Sequence, residues 1–296
     1  MIPSYITNSA TLVTMLDQIN PPKYFQFIEA DVDNLYPSID IDDALDATYE
    51  FLSHRSRWPK ERIKFLVNLI KWVLKNNYVS FGDNTYVQIR GTAMGTPCAV
   101  VIACIYMHII EQEALDTFAY QRYTISCISL FVRFIDDYAI IVSDHNTGLH
   151  LMEVLNSRRK NIHVSFKIRN LEANFLDPTL FKTKAHQLAV RAYTKPMNKF
   201  LFLPPSSCHP PHIFSGWVLG YGRRLRLNCT DDSDYNNNLL QFKANLLQRG
   251  YSEEMITETF TAIPERSTII RSIKQGVQDN HTNSPANIGV PFVVTY

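Results

Sequence analysis

Three aspartates occur in sequence that otherwise has the character of buried strands. Asp31 lies near the end of the apolar run YFQFIEADV, and Asp136 and Asp137 lie between the runs SLFVRFI and YAIIV. No Gly, Pro or Asn flanks the pair, so an ordinary solvated turn is not indicated. Three carboxylates at neighbouring strand ends would repel one another unless cations neutralise them. The pattern therefore predicts a metal site, with Asp31, Asp136 and Asp137 as its catalytic and metal-binding residues.

The type of ligand indicates the chemistry of such a site. Ligand sets made only of oxygen atoms favour hard ions, so the expected cofactors are two Mg²⁺ or Mn²⁺ ions. Two ions about 4 Å apart can activate a 3′-hydroxyl and stabilise a leaving pyrophosphate in an in-line displacement. The alternative interpretation is structural: the aspartate pair would occupy an exposed turn, and Asp31 would cap a helix.

The segment from Gly91 to Pro97 has the sequence GTAMGTP and precedes a long apolar run. Its glycines and small residues let the backbone approach a bulky ligand closely. A helix that starts at Pro97 would direct free N–H groups at a nearby phosphate. Taken alone, the segment is equally consistent with a simple turn before a helix. The residues predicted to contact a nucleotide here are Gly91, Met94, Gly95, Thr96 and Pro97.

Residues 178–230 contain eight Lys and Arg residues and no Asp or Glu, although the net charge of the whole chain is only +1. A local positive field of this kind suits a phosphate backbone. Aromatic residues in the same segment could stack on bases; they are Phe200, Phe202, Phe214, Trp217 and Tyr221. The alternative is that these rings form core and the cations are merely solvated. The predicted nucleic-acid contacts are Lys182, Arg191, Lys195, Arg223, Arg224 and Arg226.

Composition narrows the class of protein. The chain has 296 residues, of which 46% are hydrophobic, and it can bury a sizeable core. Its five cysteines are scattered, which fits reduced thiols in an intracellular protein of the nucleus or cytoplasm. No signal peptide or membrane span is indicated, so secretion and a membrane partner are not expected. Cys208, His209, His212 and Cys229 match no standard zinc spacing, and a structural loop is the preferred interpretation.

The order of elements predicts an α+β fold. Strand-like sequence ends near Asp31, helical periodicity covers residues 41–55 and 60–76, and a hairpin is centred on residues 82–84. A long apolar helix from Pro97, a second hairpin carrying the aspartate pair, another helix and further strands follow. From residue 204 the sequence becomes rich in proline and then helical.

Three of these motifs resemble those of reverse transcriptases. ADVDNLYPSID is similar to the first catalytic motif of that family, FIDD to its second metal-binding motif, and GTAMGTP to the glycine-bearing motif between them. The closer resemblance is to the reverse transcriptases of Penelope-like retroelements, and it extends over roughly residues 24–296. It is carried by AMGTP, NFLDPTLF, SSCHPPHIF, RRLRLNCTDD and LLQRGYSEEMI.

The resemblance implies a role for individual residues. Asp31 and Asp136 would be metal ligands, with Asp137 in support. Tyr36 would lie under the nucleotide sugar and favour dNTPs by excluding a 2′-hydroxyl. RNA template and DNA primer would be the partners, and the oligomeric state is left open. The implied fold is a palm, an antiparallel sheet with packed helices, followed by a helical thumb.

The implied segments are a lead-in over residues 1–22, a palm over 23–203, a thumb over 204–265 and a loosely ordered segment over 266–296. The lead-in is too short for the fingers region that reverse transcriptases carry before their first catalytic aspartate. The sequence therefore suggests a fragment. It leaves open an active RNA-directed DNA polymerase and an inactive remnant that binds nucleic acid. An RNA-dependent RNA polymerase is the third, less favoured alternative.

Overall fold

The computed structural model describes residues 2–121 and 125–282. The helices are, in chain order, α1 (Ser9–Leu16), α2 (Leu35–Ser38), α3 (Ile41–Arg55), α4 (Lys60–Lys75), α5 (Ala99–Tyr120), α6 (His145–Asn156), α7 (Pro211–Leu227), α8 (Asp232–Gln248), α9 (Glu253–Thr261) and α10 (Arg266–Thr282). The strands are β1 (Gln26–Val32), β2 (Tyr78–Phe81), β3 (Asn84–Val87), β4 (Ile128–Phe134), β5 (Asp137–Val142), β6 (Val164–Arg169), β7 (Glu172–Asn174), β8 (Pro178–Lys182) and β9 (Leu188–Ala192).

Two compact units divide the described residues. The first unit comprises residues 2–6, 24–121 and 125–170, and the second comprises residues 7–23 and 171–282. The first unit contains a four-stranded sheet with the order β4-β5-β1-β6, in which every neighbouring pair is antiparallel. The second unit contains a three-stranded antiparallel sheet, β7-β8-β9, together with α1 and α7–α10.

The core of the first unit lies between its sheet and its helices. Helix α5 is apolar around most of its circumference, and 13 of its 22 residues are buried, as expected of a helix covered on several sides. Helix α3 packs on α5 and so does α6. The side chain of Asp40 accepts hydrogen bonds from the backbone N–H groups of Asp42 and Asp43, which fixes the start of α3.

The second unit has two apolar clusters. One is formed around Val218, Phe242 and Leu246 of α7 and α8. The other joins Val13 of α1 to Leu227 of α7 and to Ile269 and Ile270 of α10.

The second cluster corrects two expectations from the sequence. The lead-in contains a helix, α1, with five buried residues, and the segment beginning at residue 266 forms α10 instead of a loose tail. Ile269 and Ile270 order the start of α10 because their burial offsets the entropy lost when the backbone is fixed. Residues 283–296 lie outside the described residues.

Most other predicted elements occur close to where the sequence placed them. Helix α5 is an exception at its start, because Pro97 and Cys98 precede the first helical residue, Ala99. The compact units also divide near residue 170, so that residues 171–203 belong with α7–α10. No helix within residues 2–121 and 125–282 is long and apolar enough to cross a membrane.

Candidate active site

The register of the central sheet brings the predicted aspartates to one edge. Asp31 of β1 stands directly opposite Asp137, the first residue of β5. Asp136 lies in the turn between β4 and β5, and its carbonyl oxygen accepts a hydrogen bond from the N–H of Val32 at 3.1 Å. Asp31 and Asp137, 106 positions apart in the chain, are thus neighbours because β1 and β5 are adjacent antiparallel strands.

The carboxylates at this edge act on one another electrostatically. The pKa of Asp31 is raised, first by partial burial and then by the negative charges of Asp136 and Asp33, while a hydrogen bond with Asp137 opposes the rise. The raised pKa means that a charged Asp31 is disfavoured in the protein alone. A cation at this edge would relieve that repulsion.

The donor set fits Mg²⁺ in kind, because carboxylate oxygens are its preferred protein ligands. Within residues 2–121 and 125–282, however, no three His, Cys, Asp or Glu side chains converge closely enough to enclose a metal ion. The nearby Asp33 instead bonds to His163, with 2.7 Å between its Oδ2 and the Nδ1 of His163, and this hydrogen bond lowers the pKa of Asp33. The aspartates therefore provide suitable ligands without a preformed coordination shell.

A buried ion pair lies behind the aspartate turn. Arg133 of β4 and Glu111 of α5 are 0% and 1% exposed, and the Arg133 Nε–H donates to Glu111 Oε1. The phenol of Tyr138 also donates to Glu111, at 2.7 Å, and the hydroxyl of Ser4 donates to its second oxygen. Burial and the negative charge of Glu111 raise the pKa of Tyr138 well above its usual value. The Glu111 carboxylate is thus fully used as an acceptor.

This ion pair holds the turn itself. The Nη1 of Arg133 donates to the carbonyl oxygen of Ile135 at 2.8 Å, and its Nη2 donates to the carbonyl oxygen of Cys104 at 3.2 Å. Ile135 has a φ of +59°, a conformation that is unfavourable for a β-branched residue. The bond from Arg133 therefore stabilises a strained peptide immediately before Asp136.

The N-terminal residues complete the support of β4. The N–H of Arg133 donates to the carbonyl of Ser4 at 2.7 Å, and the N–H of Ile6 donates to the carbonyl of Arg133 at 2.9 Å. Sequence analysis did not identify Arg133, Glu111 or Ser4 as important. The sequence does contain a signal for them, because Arg133 and Glu111 each lie inside an apolar run. Charged residues that are buried in this way require a partner of opposite charge.

Tyr36 and the glycine motif belong to the same part of the first unit. The pKa of Tyr36 is raised by burial, by the neighbouring Cys104 and by the negative charge of Asp136, so its phenol lies within electrostatic reach of the aspartates. The N–H of Thr92 donates to the carbonyl oxygen of Tyr36 at 2.8 Å. The structure thus brings Tyr36 to the aspartates and ties the start of the glycine motif to its backbone.

Gly91 can occupy its position only because it lacks a side chain. Its φ is +71°, and a Cβ atom there would lie 2.5 Å from the carbonyl oxygen of Tyr36 and 2.6 Å from the Cα of Pro37. A cleft of about 660 Å³ opens beside this contact, and Asp40, Lys75 and Arg90 are among its lining residues. The close approach predicted for a glycine here is therefore to the Tyr36 backbone.

The rest of the glycine motif forms the turn before α5. Met94 is 75% exposed, and the Thr96 hydroxyl donates to the side-chain oxygen of Asn77 at 3.3 Å. Gly95 has a φ of +92° with open space around it. The predicted nucleotide contacts of Met94, Gly95, Thr96 and Pro97 stay predictions.

The predicted nucleic-acid contacts all lie in the second unit, and half of them form ion pairs there. Arg191 of β9 pairs with Glu172, and Arg224 of α7 pairs with Asp177. Arg226 pairs with Asp232 at 2.8 Å and with Glu265 at 3.1 Å. Partial burial lowers the pKa of Lys182. Lys195 and Arg223 are exposed. These ion pairs reduce the positive field of residues 178–230, because acidic residues that lie outside this segment in sequence are close to it in space.

The aromatic residues of the same segment are partly buried and pack against one another. The ring of Phe202 contacts those of Trp217, Tyr221 and Phe242 at centroid distances of 5.3 Å. The indole N–H of Trp217 donates to the Tyr251 hydroxyl at 2.9 Å. This packing favours the alternative that the rings are part of the core, and base stacking by them stays a prediction.

The Cys and His residues of the proline-rich segment are not gathered into a metal site. Cys208 is exposed, whereas Cys229 is buried, and the Nδ1 of His209 lies 2.7 Å from the Ser207 hydroxyl. Within the described residues, those numbered 2–121 and 125–282, these side chains are not part of any cluster of three or more His, Cys, Asp or Glu that could hold a metal ion.

Residues 201–261, which include α7, α8 and α9, match a family model described as an animal helix-turn-helix domain. A telomerase reverse transcriptase from Oxytricha trifallax is 28% identical over 122 residues, which cover 39% of this chain and 11% of that protein. The sequence relationship to that protein is therefore partial.

Two solved structures share the fold. Telomerase from Candida albicans, solved in complex with the TWJ fragment of telomeric RNA, has a TM-score of 0.60 at 10% identity, covering 95% of this chain and 54% of its own. The RNA-dependent RNA polymerase of a human picorbirnavirus has a TM-score of 0.52 at 10% identity. The match covers 90% of this chain and 52% of the viral polymerase chain. The fold is a polymerase palm with a helical thumb. The chain spans about half the length of these polymerases.

Proposed function

We propose that this chain is the palm and thumb part of an RNA-directed DNA polymerase, which transfers a nucleotide from a dNTP to a primer 3′-hydroxyl. One observation carries the proposal: Asp31 of β1 stands opposite Asp137 of the adjacent antiparallel strand β5, and Asp136 lies in the turn between β4 and β5. The shared fold with telomerase and with an RNA-dependent RNA polymerase supports the reaction class. An RNA template is the proposed partner, together with a DNA primer.

The aspartates would serve as the ligand set in this reaction. Asp31 and Asp136 would hold two Mg²⁺ or Mn²⁺ ions, and Asp137 would support them through its hydrogen bond to Asp31. Bound at this edge, the ions would lower the pKa of the primer hydroxyl and stabilise the negative charge that develops on the pyrophosphate. Arg133 would act as a positioning residue, since its bond to the Ile135 carbonyl holds the turn that carries Asp136.

Tyr36 would select the sugar. Its phenol lies close enough to Asp136 to feel that charge, which is the position expected of a ring beneath the nucleotide sugar. A 2′-hydroxyl would collide with the ring, so a dNTP would be favoured over an rNTP. The cleft beside Gly91, which begins at the neighbouring residue Pro37, offers room for a bulky ligand.

A retroelement origin is the finer part of the proposal. The motifs GTAMGTP, NFLDPTLF and SSCHPPHIF support a Penelope-like element as the source. The fold and the partial similarity to a telomerase reverse transcriptase are compatible with that origin and with other reverse transcriptases.

A second candidate function is a remnant that binds nucleic acid without catalysis. It is favoured by the lack of a preformed coordination shell among the described residues. Primer extension separates the two candidates. The full chain would be given an annealed RNA template and DNA primer, dNTPs, and Mg²⁺ or Mn²⁺, and compared with Asp136→Asn. Asp46→Asn is the matched control, because Asp46 is an exposed aspartate of α3 outside the site.

Extension by the chain and by Asp46→Asn, but not by Asp136→Asn, is the expected result. Retained binding to the primer–template without extension by any of the three proteins would favour the remnant. Extension with rNTPs in preference to dNTPs would instead identify an RNA-dependent RNA polymerase. Tyr36→Ala tests the sugar contact separately, because it should raise rNTP incorporation without abolishing that of dNTPs.

A further inference from the structure

Helix α4 exposes an apolar stripe on the surface of the first unit. Phe65, Leu69 and Trp72 are 65%, 47% and 69% exposed, and their spacing of four and three residues places them on one helical face. The opposite face carries Ile63 and Leu74, which are buried at 1% and 0%. The helix therefore packs through one apolar face and presents a second apolar face to solvent.

The same part of the chain is strongly basic. Residues 55–75 contain seven Lys and Arg residues and a single acid, Glu61, for a local charge of +6. Since the whole chain carries +1, everything outside this segment sums to −5. The positive charge per residue of 55–75 exceeds that of residues 178–230, which carry eight Lys and Arg residues in a stretch more than twice as long. A strong local positive charge thus lies on and just before α4.

Most of these cations are not engaged by acids. Lys71 and Lys75 share Asp42, at 3.3 and 2.9 Å. The other five form no ion pair within residues 2–121 and 125–282; they are Arg55, Arg57, Lys60, Arg62 and Lys64. The guanidinium of Arg62 lies over the ring of Trp58, 4.5 Å from its centroid.

The β2–β3 hairpin extends the aromatic surface from the end of α4. It begins two residues after α4 ends, and its base is held by a 2.9 Å bond from the Gln88 N–H to the Asn77 carbonyl. Tyr78, Phe81 and Tyr86 are 67%, 78% and 51% exposed. Exposed rings thus occur both on the helix and on the hairpin that follows it in the chain.

We propose that this surface, made of residues 55–75 and the β2–β3 hairpin, binds a single strand of nucleic acid. Bases would stack on the rings of Trp58, Phe65 and Trp72, while Lys60 and Lys64 would contact phosphates. Stacking platforms with interleaved cations hold unpaired strands with little sequence preference, because every base has a π face. An unpaired strand fits better than a duplex, whose bases are already stacked.

Charge decides between this partner and another protein. An exposed apolar patch is also typical of protein interfaces. A second copy of this chain would bring two segments of +6 together, which like-charge repulsion opposes. A polyanion with flat apolar rings satisfies both the charge and the exposed aromatic residues. The proposal goes beyond the function proposed above, since the surface shares no residue with the aspartate site and would bind whether or not the aspartates are catalytic.

Tryptophan fluorescence can test the proposal directly. The chain has three tryptophans, of which Trp58 and Trp72 lie on this surface and Trp217 lies in the aromatic cluster of the second unit. The full chain would be titrated with 20-nucleotide oligo(dT) and oligo(U) without metal ions, at several salt concentrations. We expect quenching of tryptophan emission with an affinity that falls as salt rises.

Three variants define the surface. Trp72→Leu should weaken binding about tenfold and remove the part of the quenching that Trp72 contributes, leaving that of Trp58, because one stacking ring is lost. The pair Lys60→Gln and Lys64→Gln should reduce the slope of log affinity against log salt by about 1.4, the value for two lost phosphate contacts on a single strand. Lys160→Gln and Lys167→Gln make the same charge change at exposed positions elsewhere in the first unit, and should leave both quantities unchanged.

Other outcomes would overturn the proposal. Binding of heparin, without quenching of tryptophan emission by either oligonucleotide, would mean that the surface attracts polyanions through charge but does not stack bases. A blue shift with phosphatidylserine vesicles but not with oligonucleotides would assign the surface to anionic lipid. Concentration-dependent dimers that Trp72→Leu abolishes, without oligonucleotide binding, would assign it to a second copy. Since no outcome depends on nucleotide transfer, failure here is distinct from failure of the proposed polymerase activity.

Discussion

Arg133 and Glu111 form an ion pair that is buried behind the turn carrying Asp136. The two residues are 22 positions apart, on β4 and α5, and both side chains are almost completely removed from solvent. The same guanidinium donates to the carbonyl of Ile135, the residue before Asp136. A buried charge pair of this kind seldom adds net stability over an apolar pair, so its retention is better explained by the geometry that it imposes.

Breaking this ion pair on one side should destabilise the protein strongly. Arg133→Met leaves Glu111 charged and buried, and we expect a loss of about 3–5 kcal/mol in the free energy of unfolding. The triple variant Arg133→Met, Glu111→Leu, Tyr138→Phe removes both charges and the hydroxyl that donates to Glu111. It should recover most of that loss, as measured by urea unfolding.

The triple variant also separates positioning from stability. It should fold, yet extend a primer far more slowly, because the Ile135 carbonyl has lost its donor and the turn before Asp136 is no longer held. Extension at the rate of the parent chain, in a folded triple variant, would show that the turn keeps its conformation without Arg133.

Replacement of Gly91 should disturb the contact with Tyr36. Gly91→Ala places a Cβ atom 2.5 Å from the Tyr36 carbonyl oxygen at a positive φ. We expect a loss of about 3 kcal/mol in unfolding free energy, from backbone strain and overpacking together. Gly95→Ala is the matched control: its φ is also positive, but nothing lies within 4 Å, so only about 1 kcal/mol should be lost. Equal losses in urea unfolding would contradict a special role for the Gly91 contact.

Repulsion at the aspartate edge predicts a stability that depends on divalent ions. The pKa of Asp31 is raised in the fold, so its charged form destabilises the metal-free protein at neutral pH. Asp31→Asn should therefore raise the melting temperature slightly in EDTA. Mg²⁺ should raise the melting temperature of the parent chain and have little effect on the variant. A parent chain that melts at the same temperature in EDTA and in millimolar Mg²⁺ would count against a metal site at this edge.

His108 should make stability fall under mildly acidic conditions. Its ring is 3% exposed beside Phe51, and burial lowers its pKa, with Arg55 and Arg133 also opposing and Glu111 favouring the charged form. The unfolded chain therefore takes up a proton that the fold excludes. The resulting loss of unfolding free energy is absent well above about pH 6.5, the pKa of histidine in an unfolded chain. It grows as the pH falls through that pKa, at up to about 1.4 kcal/mol per pH unit.

The pH-dependent loss of stability assigned to His108 can be measured by urea unfolding of the parent chain and of His108→Leu between pH 8 and pH 5. The absolute stabilities will differ because packing differs, so the slope with pH is the quantity to compare. The parent chain should lose more stability than the variant below pH 6.5. Parallel pH profiles would exclude His108 as the source.

Local pattern was sufficient to predict the elements and the main ligand set. Alternation and apolar runs predicted β1, the β2–β3 hairpin and the β4–β5 hairpin, and three- and four-residue spacing predicted α3 and α4. These signals succeed because they depend on which residues of one segment face the core. The same logic placed Asp31 and the Asp136–Asp137 pair at strand ends, although it did not establish their chemistry.

Partners that are distant in the chain are what the sequence could not show. Charge counting assigned Arg191, Arg224 and Arg226 to a phosphate backbone, but folding supplies them with acids from outside the counted segment. The aromatic residues near Phe202 are interleaved with cations in sequence, yet they face one another in space. The helix at residue 266 depends on burial against α1 and α7, which no local periodicity contains.

The sequence by itself determined where carboxylates interrupt apolar strands, where glycines occur in turns, and which segments have the periodicity of α3 and α4. Tertiary structure alone decided that Asp31 faces Asp137, that Arg133 lies behind the turn carrying Asp136, and that the apolar stripe of α4 points to solvent. The physical reason is that strand register, ion pairing and exposure depend on which distant segments pack together. Packing is a property of the whole chain, whereas propensity and periodicity are properties of a short stretch.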